Sequence, residues 1–525
     1  MNPESTAPRP RSTITGPSGG EAWLHRMTHG RRFCLILSAA ALALLLFSVL
    51  RRPFVNEDGA LYLMIAQRIS IDGLASGMSL FDSPFYSALI AATHAVTGLS
   101  LQASAYLLNA AFVVTIALAF TDLCRQLYDD RRIVPWAALV VLAHPKLDNY
   151  FSFVVRDIGY WGLLLGSWSL FLRHLHDARL RWLAGWAALS LAAALFKPEG
   201  LAFGLVLPLA IVFDRHSLRS RLARTLTAYG MLLLAPVLAM LLQRELPFGQ
   251  VMCCLHERPL ASLQGIPQSF LASAEEFASS ALHPESRNFA ALSLAGGLAT
   301  LLVARILNTL GVLQALLLLG GWRAGTLSPA PGRRAAYLIL LVTAALLPAS
   351  FLAYQRFLDT RYLMPTCLLL LIPTARVLQV LGEWLGTRAA VVRTTGMLLL
   401  FAALATDFTL GLDKSKPYML ESYRWIREHV GPDTRVFTND RQFAAVALGN
   451  DWDLREIESA TWMIEQRQVP EVPGRLWIIH VQSRQTALAD GLKALQDRLS
   501  PVTAFSDERG SELHVYRELP PAVGN

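Results

Sequence analysis

The sequence predicts a polytopic α-helical membrane protein of about eleven transmembrane helices, followed by a small α/β domain on the outer side. Three observations carry this. The 525 residues are 53% hydrophobic and only 16% charged, with a mean hydropathy of +0.39, whereas a soluble chain carries about a quarter charged residues. Long apolar runs recur without strict alternation, which fits spanning helices and excludes a barrel. After Leu410 the composition turns charged and mixed. The formal charge of +8 is no sign of nucleic acid, because its arginines sit in short loops between apolar runs, where they orient a membrane protein.

Residues 1–30 are rich in Pro, Ser, Gly and Arg and read as a disordered cytoplasmic tail. The membrane module then runs over 31–412. Its first span, Phe33–Leu50, is read as a retained anchor, since no small-residue cleavage site follows it. Residues 51–100 form the first outer loop. Within it Leu61, Met64, Ile65 and Ile69 recur at helical spacing among Gln67, Arg68 and Asp72, the pattern of a helix lying along the interface. Phe85–Gly98, interrupted by Thr93 and His94, is read as a partial or re-entrant segment, because that choice places every Arg-rich loop inside.

The later spans are Leu101–Thr121, Ile133–Leu147, Ile158–Leu172, Trp182–Phe196, Leu201–Phe213, Leu226–Leu242, Ala291–Gly320, Ala335–Ala353, Tyr362–Val380 and Ala390–Leu410. Inside loops then hold Arg125, Arg131, Arg132, Arg179, Arg181, Arg323 and Arg388 among others. The outer ends collect Glu57, Asp58, Arg156, Asp157, Lys197, Glu199, the long loop over 244–290, and Arg356 to Arg361. Ionisable groups gathered on one face of a membrane protein indicate a shared wet site.

Residues 413–525 form the outer α/β domain, with helices at Tyr418–His429 and Thr486–Leu499 and strands at Arg435–Thr438, Leu476–Val481 and Glu512–Arg517. Trp425, Trp452, Trp462 and Trp477 are expected in its core or as a rim against the membrane. Cys34, Cys124 and Cys367 read as packing residues, and Cys253-Cys254 as two free thiols.

The residues that carry chemistry lie at the outer helix ends. Asp58 is open to three readings, a general base for a hydroxyl, a metal ligand or a cation site, against helix capping or an ion pair with Arg51, Arg52 or Arg68. Glu57 shares its position and is counted with Asp58 and Asp157 among the catalytic candidates, although it points elsewhere on a helical turn. Asp157 begins a span, where it complements the helix dipole, orients an acceptor, binds a metal or holds Arg156. The tight turn Lys197-Pro198-Glu199-Gly200 sets a cation at a helix N-terminus, an anion site rather than a snorkelling lysine. Arg156, Arg356 and Arg361 are read as phosphate ligands, Arg361 equally as an interfacial anchor with Tyr362. His256, Glu257 and His283 match no metal spacing, and no Walker-type loop, dinucleotide fingerprint or zinc motif occurs.

These pieces together resemble the GT-C superfamily of polytopic glycosyltransferases, closest to the branch with protein O-mannosyltransferases and the bacterial lipid A aminoarabinose transferase. The likeness rests on Asp58-Gly59-Ala60-Leu61-Tyr62-Leu63-Met64-Ile65-Ala66, Asp82-Ser83-Pro84-Phe85-Tyr86, Arg156-Asp157, Phe196-Lys197-Pro198-Glu199-Gly200 and Arg361-Tyr362-Leu363-Met364-Pro365. It implies a bacterial inner-membrane enzyme with a cytoplasmic N-terminus and a periplasmic C-terminal domain. Such an enzyme moves a sugar from a polyprenyl-phosphate donor to a glycan, lipid or protein acceptor. The resemblance puts Asp58 at the reaction centre, Asp157 as the second acid and Lys197 near the donor phosphate. Many relatives carry an acid directly after the first one, where this chain has Gly59. That difference leaves use of a divalent cation open, and no other cofactor is implied. The alternative function is a transporter of lipid-linked sugars, against which no internal repeat is found.

Overall fold

The structure, a computed structural model, describes residues 30–52, 54–81, 83–213, 217–241, 248–412, 416–431, 434–443, 454–465, 475–482, 485–507 and 510–519. The side chains of 235–264, 411, 454–459 and 486 lie outside that description. So do nearly all of the tail over 1–30, Asp82, Trp452, and the side chains of Cys253, Cys254, His256 and Glu257.

The membrane part is built from α1 (Arg31–Arg51), α2 (Glu57–Asp72), α3 (Leu74–Leu80), α4 (Phe85–Thr97), α5 (Leu101–Tyr128), α6 (Val134–Leu142) and α7 (Pro145–Phe151). It continues with α8 (Arg156–Asp177), α9 (Leu180–Phe196), α10 (Glu199–Val206), α11 (Leu218–Leu241), α12 (Phe248–Ala281), α13 (Ala290–Leu310), α14 (Val312–Arg323), α15 (Arg334–Gln355), α16 (Thr360–Gly386) and α17 (Ala390–Gly411). Among the described residues, six helical segments are long and apolar enough to cross a membrane: Arg31–Arg51, Leu101–Tyr128, Pro284–Leu310, Pro331–Gln355, Thr360–Gly386 and Ala390–Leu410. A count of eleven crossings therefore does not follow from helix length.

Four expected segments are corrected, each for a local reason. Ile133–Leu147 is not one helix: α6 ends at Leu142, and Pro145 opens α7, whose N-cap His144 accepts the Leu147 amide at 3.2 Å. Leu201–Phe213 is α10 followed by a 3-10 turn from Leu207, where Pro208 cannot continue the α ladder. Ala291–Gly320 breaks into α13 and α14 at Gly311, whose φ of 92° suits glycine. Most of the long loop over 244–290 is instead the 34-residue helix α12. Hydropathy does not separate a polar helix from a polar loop. By contrast, α4 spans 13 residues, about 20 Å, too short to cross a bilayer core of about 30 Å upright.

The core centres on α8, which packs along α5 and α9 and buries Trp161, Trp168 and Phe171. Helices α15 and α16 are interrupted by prolines, and at Pro348 and Pro373 the freed carbonyl finds a partner on the neighbouring helix. Pro348 frees the Ala344 carbonyl, which accepts from Thr366 Oγ1 at 2.5 Å. Pro373 frees the Leu369 carbonyl, which accepts from the Tyr337 hydroxyl at 3.2 Å. In hydrocarbon such freed groups need protein partners. Polar pairs also bind the ends of α5, α8 and α16 remote from the acids: Asp122 with Arg125 and Arg173, and Asp130 with Arg376.

The C-terminal unit adds α18 (Pro417–His429), β1 (Val436–Thr438), α19 (Leu454–Glu465), β2 (Leu476–Val481), α20 (Thr486–Ala494), β3 (Leu499–Ser506) and β4 (Glu512–Glu518). Its sheet has the order β1-β2-β4-β3, with β1 parallel to β2 and the other pairs antiparallel. The expected helix Thr486–Leu499 stops at Ala494, and Leu499 begins β3, a strand missed in the sequence. β2 is buried along its whole length, an apolar run broken only by His480. Trp477 is fully buried and donates to Glu518 at 3.1 Å. Trp425 stacks on His429, but Trp462 is exposed rather than in the core. Phe54, just ahead of α2, packs against this domain's second apolar cluster. The domain is thus seated beside the first turn of α2.

Candidate active site

Two interlocked turns assemble the site. Asn56, the N-cap of α2, accepts the Val154 amide through its side chain at 2.8 Å. This ties the start of α2 to the strand-like residues that lead into α8. Gly59 lies at the contact, where an added Cβ would sit 2.7 Å from Asn56 Oδ1, 2.7 Å from Val55 Cγ1 and 2.9 Å from Val154 Cβ. The position after Asp58 is therefore glycine for a packing reason. Gly59→Ala is expected to lower stability by roughly 1–3 kcal/mol through overpacking, and Gly59→Asp by more. A thermal midpoint for the alanine variant equal to wild type would contradict this.

The clamp brings together carboxylates that are far apart in sequence. Asp58 is paired with Arg361 from the first turn of α16, with 38% and 26% of the side chains exposed. Asp157, at the start of α8, accepts Lys197 Nζ at 2.6 Å, and both side chains are almost wholly buried. Lys197 is the C-cap of α9, and Pro198 and Glu199 turn the chain directly into α10. That turn needs Gly200, whose added Cβ would meet the Ala194 nitrogen at 2.7 Å. Arg361 is set by Asp359, the N-cap of α16, which accepts the Arg361 amide at 3.0 Å and the Tyr150 hydroxyl at 3.0 Å. The local reading of Asp58 as a partner of Arg51, Arg52 or Arg68 gives way to this long-range pair. Arg51 and Arg52 bond Asp148 and Asn149, and Arg68 bonds Asp72.

Aromatic rings fill the space between the charges. Lys197 Nζ lies 4.5 Å from the centroid of Tyr362 and 5.8 Å from that of Tyr160, and Tyr362 stacks on Phe351 at 4.4 Å. Arg156 lies over Phe81 at 5.3 Å. Tyr62, one turn after Asp58, is buried between Phe81 and Tyr86. Its hydroxyl is pushed to a higher pKa chiefly by burial, with Arg156 opposing and Asp157, Asp58 and Arg361 also within electrostatic reach. Tyr62 and Tyr160 carry no assigned role in the sequence, and Tyr362 is read there only as an interfacial anchor. Tyr62 sits in the Asp58 motif and Tyr362 beside Arg361, so the signal was adjacency to a charged residue.

A narrow slot of about 30 Å³ runs along Lys197, Arg361, Tyr362, Tyr160 and Glu199. Two polar atoms at it are buried without a hydrogen-bond partner, Arg361 Nε and Glu199 Oε2. The side of Arg361 that is not engaged by Asp58 therefore retains an unused donor. Leu347 lines both this slot and an apolar groove of about 460 Å³, formed by Val206, Leu338, Ile339, Val342, Thr343 and Leu346.

The structure thus joins Asp58, Asp157, Lys197, Arg361 and, alongside, Arg156. It does not bring Arg356 to them. Arg356, at the left-handed C-cap of α15, donates to Ser269 Oγ at 2.7 Å and so pins α12 to the end of α15. Glu57 also turns away, toward Asp440 and His480 of the C-terminal domain. Its carboxyl is held above its ordinary pKa by burial and then by Asp440, partly offset by His480 and Lys416. Among the described residues, no group of three or more His, Cys, Asp or Glu side chains is placed to hold a metal ion.

No protein-family model and no curated protein sequence matches the chain. Solved structures do. ArnT from Cupriavidus metallidurans, bound to undecaprenyl phosphate, is 14% identical and aligns over 92% of this chain and 98% of its own, with a TM-score of 0.51. The Archaeoglobus fulgidus oligosaccharyltransferase, tethered to an acceptor peptide containing the NVT sequon, is 14% identical over 96% of this chain and 76% of its own, also at 0.51. Its apo form is 12% identical over the same shares, at 0.50. Both proteins are GT-C glycosyltransferases. At these identities the likeness is one of fold, and the chain carries the GT-C glycosyltransferase fold.

Proposed function

We propose that this chain is an integral membrane glycosyltransferase that moves a sugar from a polyprenyl-phosphate donor to an acceptor hydroxyl on the extracytoplasmic side. The observation that carries the reading is Leu347, which lines both a slot holding Lys197 and Arg361 and an apolar groove. A phosphate needs the first and a polyprenyl tail the second. The neighbouring structure with undecaprenyl phosphate, a ligand of that chemistry, adds support.

In this mechanism the donor phosphate lies along Lys197 and the unpaired edge of Arg361, with Arg156 adding positive charge from the side. Asp58 takes the proton of the acceptor hydroxyl as its oxygen forms a bond to the anomeric carbon. The bond from that carbon to the phosphate oxygen breaks, and the electron pair leaves with polyprenyl phosphate. The departing charge meets fixed cations in a slot with little water, where such stabilisation is strongest. A single displacement inverts the anomeric centre. Asp157 holds Lys197, and its own charge is balanced in doing so. The module over 31–412 would then be catalytic and the unit over 413–525 extracytoplasmic, with the N-terminus in the cytoplasm of a bacterial inner membrane.

Purified protein incubated with a radiolabelled polyprenyl-phosphate sugar pool and cell-envelope acceptors should release free polyprenyl phosphate. Movement of intact lipid-linked sugar across vesicles, without release, would instead establish a transporter. Filling the groove gives a further check. Leu346→Trp is expected to raise the apparent KM for a long-chain polyprenyl donor about tenfold, and that for a short-chain analogue far less. Equal effects on both donors would remove the groove from the tail site.

A further inference from the structure

Glu57 and Asp58 are successive residues in the first turn of α2, so their side chains diverge by about 100° around the helix axis. Asp58 faces Arg361, whereas Glu57 lines a separate cleft of about 360 Å³ shared with the C-terminal domain. That volume lies in the range of small-ligand pockets, about 300–1,000 Å³. None of the residues that line the cleft is apolar, which argues against a lipid tail.

The back of the cleft is held rigidly. Asp440 Oδ2 and His480 Nδ1 are 2.8 Å apart, and His480 Nε2 lies 3.1 Å from the Tyr418 hydroxyl. Asn439 exchanges two hydrogen bonds with the His480 backbone, at 2.8 and 2.9 Å. The front is different. Thr461, Gln482 and Gln485 present a hydroxyl and two amides to the space beside the Glu57 carboxylate. Gln485 Oε1 accepts the Gln482 backbone N–H at 3.1 Å, and the Gln485 backbone N–H donates to the Gln482 carbonyl at 2.8 Å. Amides, a hydroxyl and a carboxylate around a fixed wall suit a ligand rich in hydroxyls. The cleft's two acids, Glu57 and Asp440, stand against one arginine, Arg441, which leaves no surplus of positive charge for a phosphate.

We propose that this cleft is the acceptor subsite and that it takes a neutral, hydroxyl-rich carbohydrate, contacted by Glu57, Thr461, Gln482 and Gln485. The assignment rests on the glycosyl-transfer reading for its role, since it delivers an acceptor hydroxyl past Glu57 to Asp58. The C-terminal domain then selects the acceptor, while the membrane module holds the donor.

The test uses the full chain in phosphatidylcholine nanodiscs without donor. Saturation-transfer NMR is run with a mixture of neutral gluco-, manno- and N-acetylglucosamine trisaccharides, and separately with a Ser/Thr-rich peptide. At least one trisaccharide should receive saturation from the wild type, and Gln482→Ala/Gln485→Ala should reduce that signal at least fivefold. With lipid-linked donor present, the same double variant should raise the apparent KM for that saccharide at least tenfold and shift the donor KM less than twofold. No saccharide signal, an undiminished signal in the variant, or a response to the peptide alone overturns the assignment. Failure of the wild type to release polyprenyl phosphate would count against glycosyl transfer, while the donor-free binding arm still decides the cleft.

Discussion

Asp58→Asn is expected to reduce the rate of sugar transfer by roughly 10²- to 10⁴-fold, the usual contribution of a positioned general base. The asparagine keeps the shape of the side chain and can still accept a hydrogen bond from Arg361, so the site should remain assembled. The loss should therefore fall on kcat, with the donor KM close to wild type. An effect on KM alone would mean that Asp58 serves to hold Arg361 for the phosphate and takes no proton. Full activity in the variant would remove the carboxylate from the chemistry altogether. Because Asp58 retains 38% of its side-chain exposure, its ion pair contributes little to stability, and the thermal midpoint should hardly move.

Lys197→Met is expected to behave in the opposite way, losing both stability and activity. The lysine is the partner of Asp157 at 2.6 Å, and their side chains are 6% and 2% exposed. Removing one member leaves a buried charge uncompensated, which costs roughly 3–5 kcal/mol. Replacing both, in Lys197→Met/Asp157→Asn, should recover most of that stability, since a neutral pair of similar volume needs no counter-charge. Activity should stay low in the double variant, by about 10²- to 10³-fold, because the cation facing the phosphate is still missing. A double variant that regains transfer together with stability would show that Lys197 only neutralises Asp157. A single variant as stable as wild type would show that the pair is not buried in solution.

Much of the candidate site was legible in the sequence because each piece has a local signature. Asp58, Asp157, Lys197 and Arg361 all lie at ends of apolar runs, where a charge has to be explained. Glu57 was legible as a residue that diverges from Asp58, because a helix turns by a fixed angle per residue. Arg356 carries the same local signature and is nevertheless held by Ser269 and the Tyr354 carbonyl. Nothing in its sequence neighbourhood distinguishes it from Arg361. Tyr160 was missed for the converse reason, since a tyrosine in an apolar segment looks like any core aromatic until a cation such as Lys197 is found above it. Segment boundaries failed where one residue overrode the average of its window, as at Pro145, Pro208 and Gly311.

The sequence alone determined the membrane-helical class, the small C-terminal α/β unit and a short list of charged residues, because hydropathy and periodicity are properties of neighbouring residues. Only the tertiary structure decided which charges meet: Asp58 with Arg361 across 303 positions, Lys197 with Asp157 across 40, and Glu57 with the C-terminal domain. Such pairings depend on how helices pack, and packing follows from close contacts such as Gly59 against Val154 and Gly200 against α9. No local pattern encodes those distances.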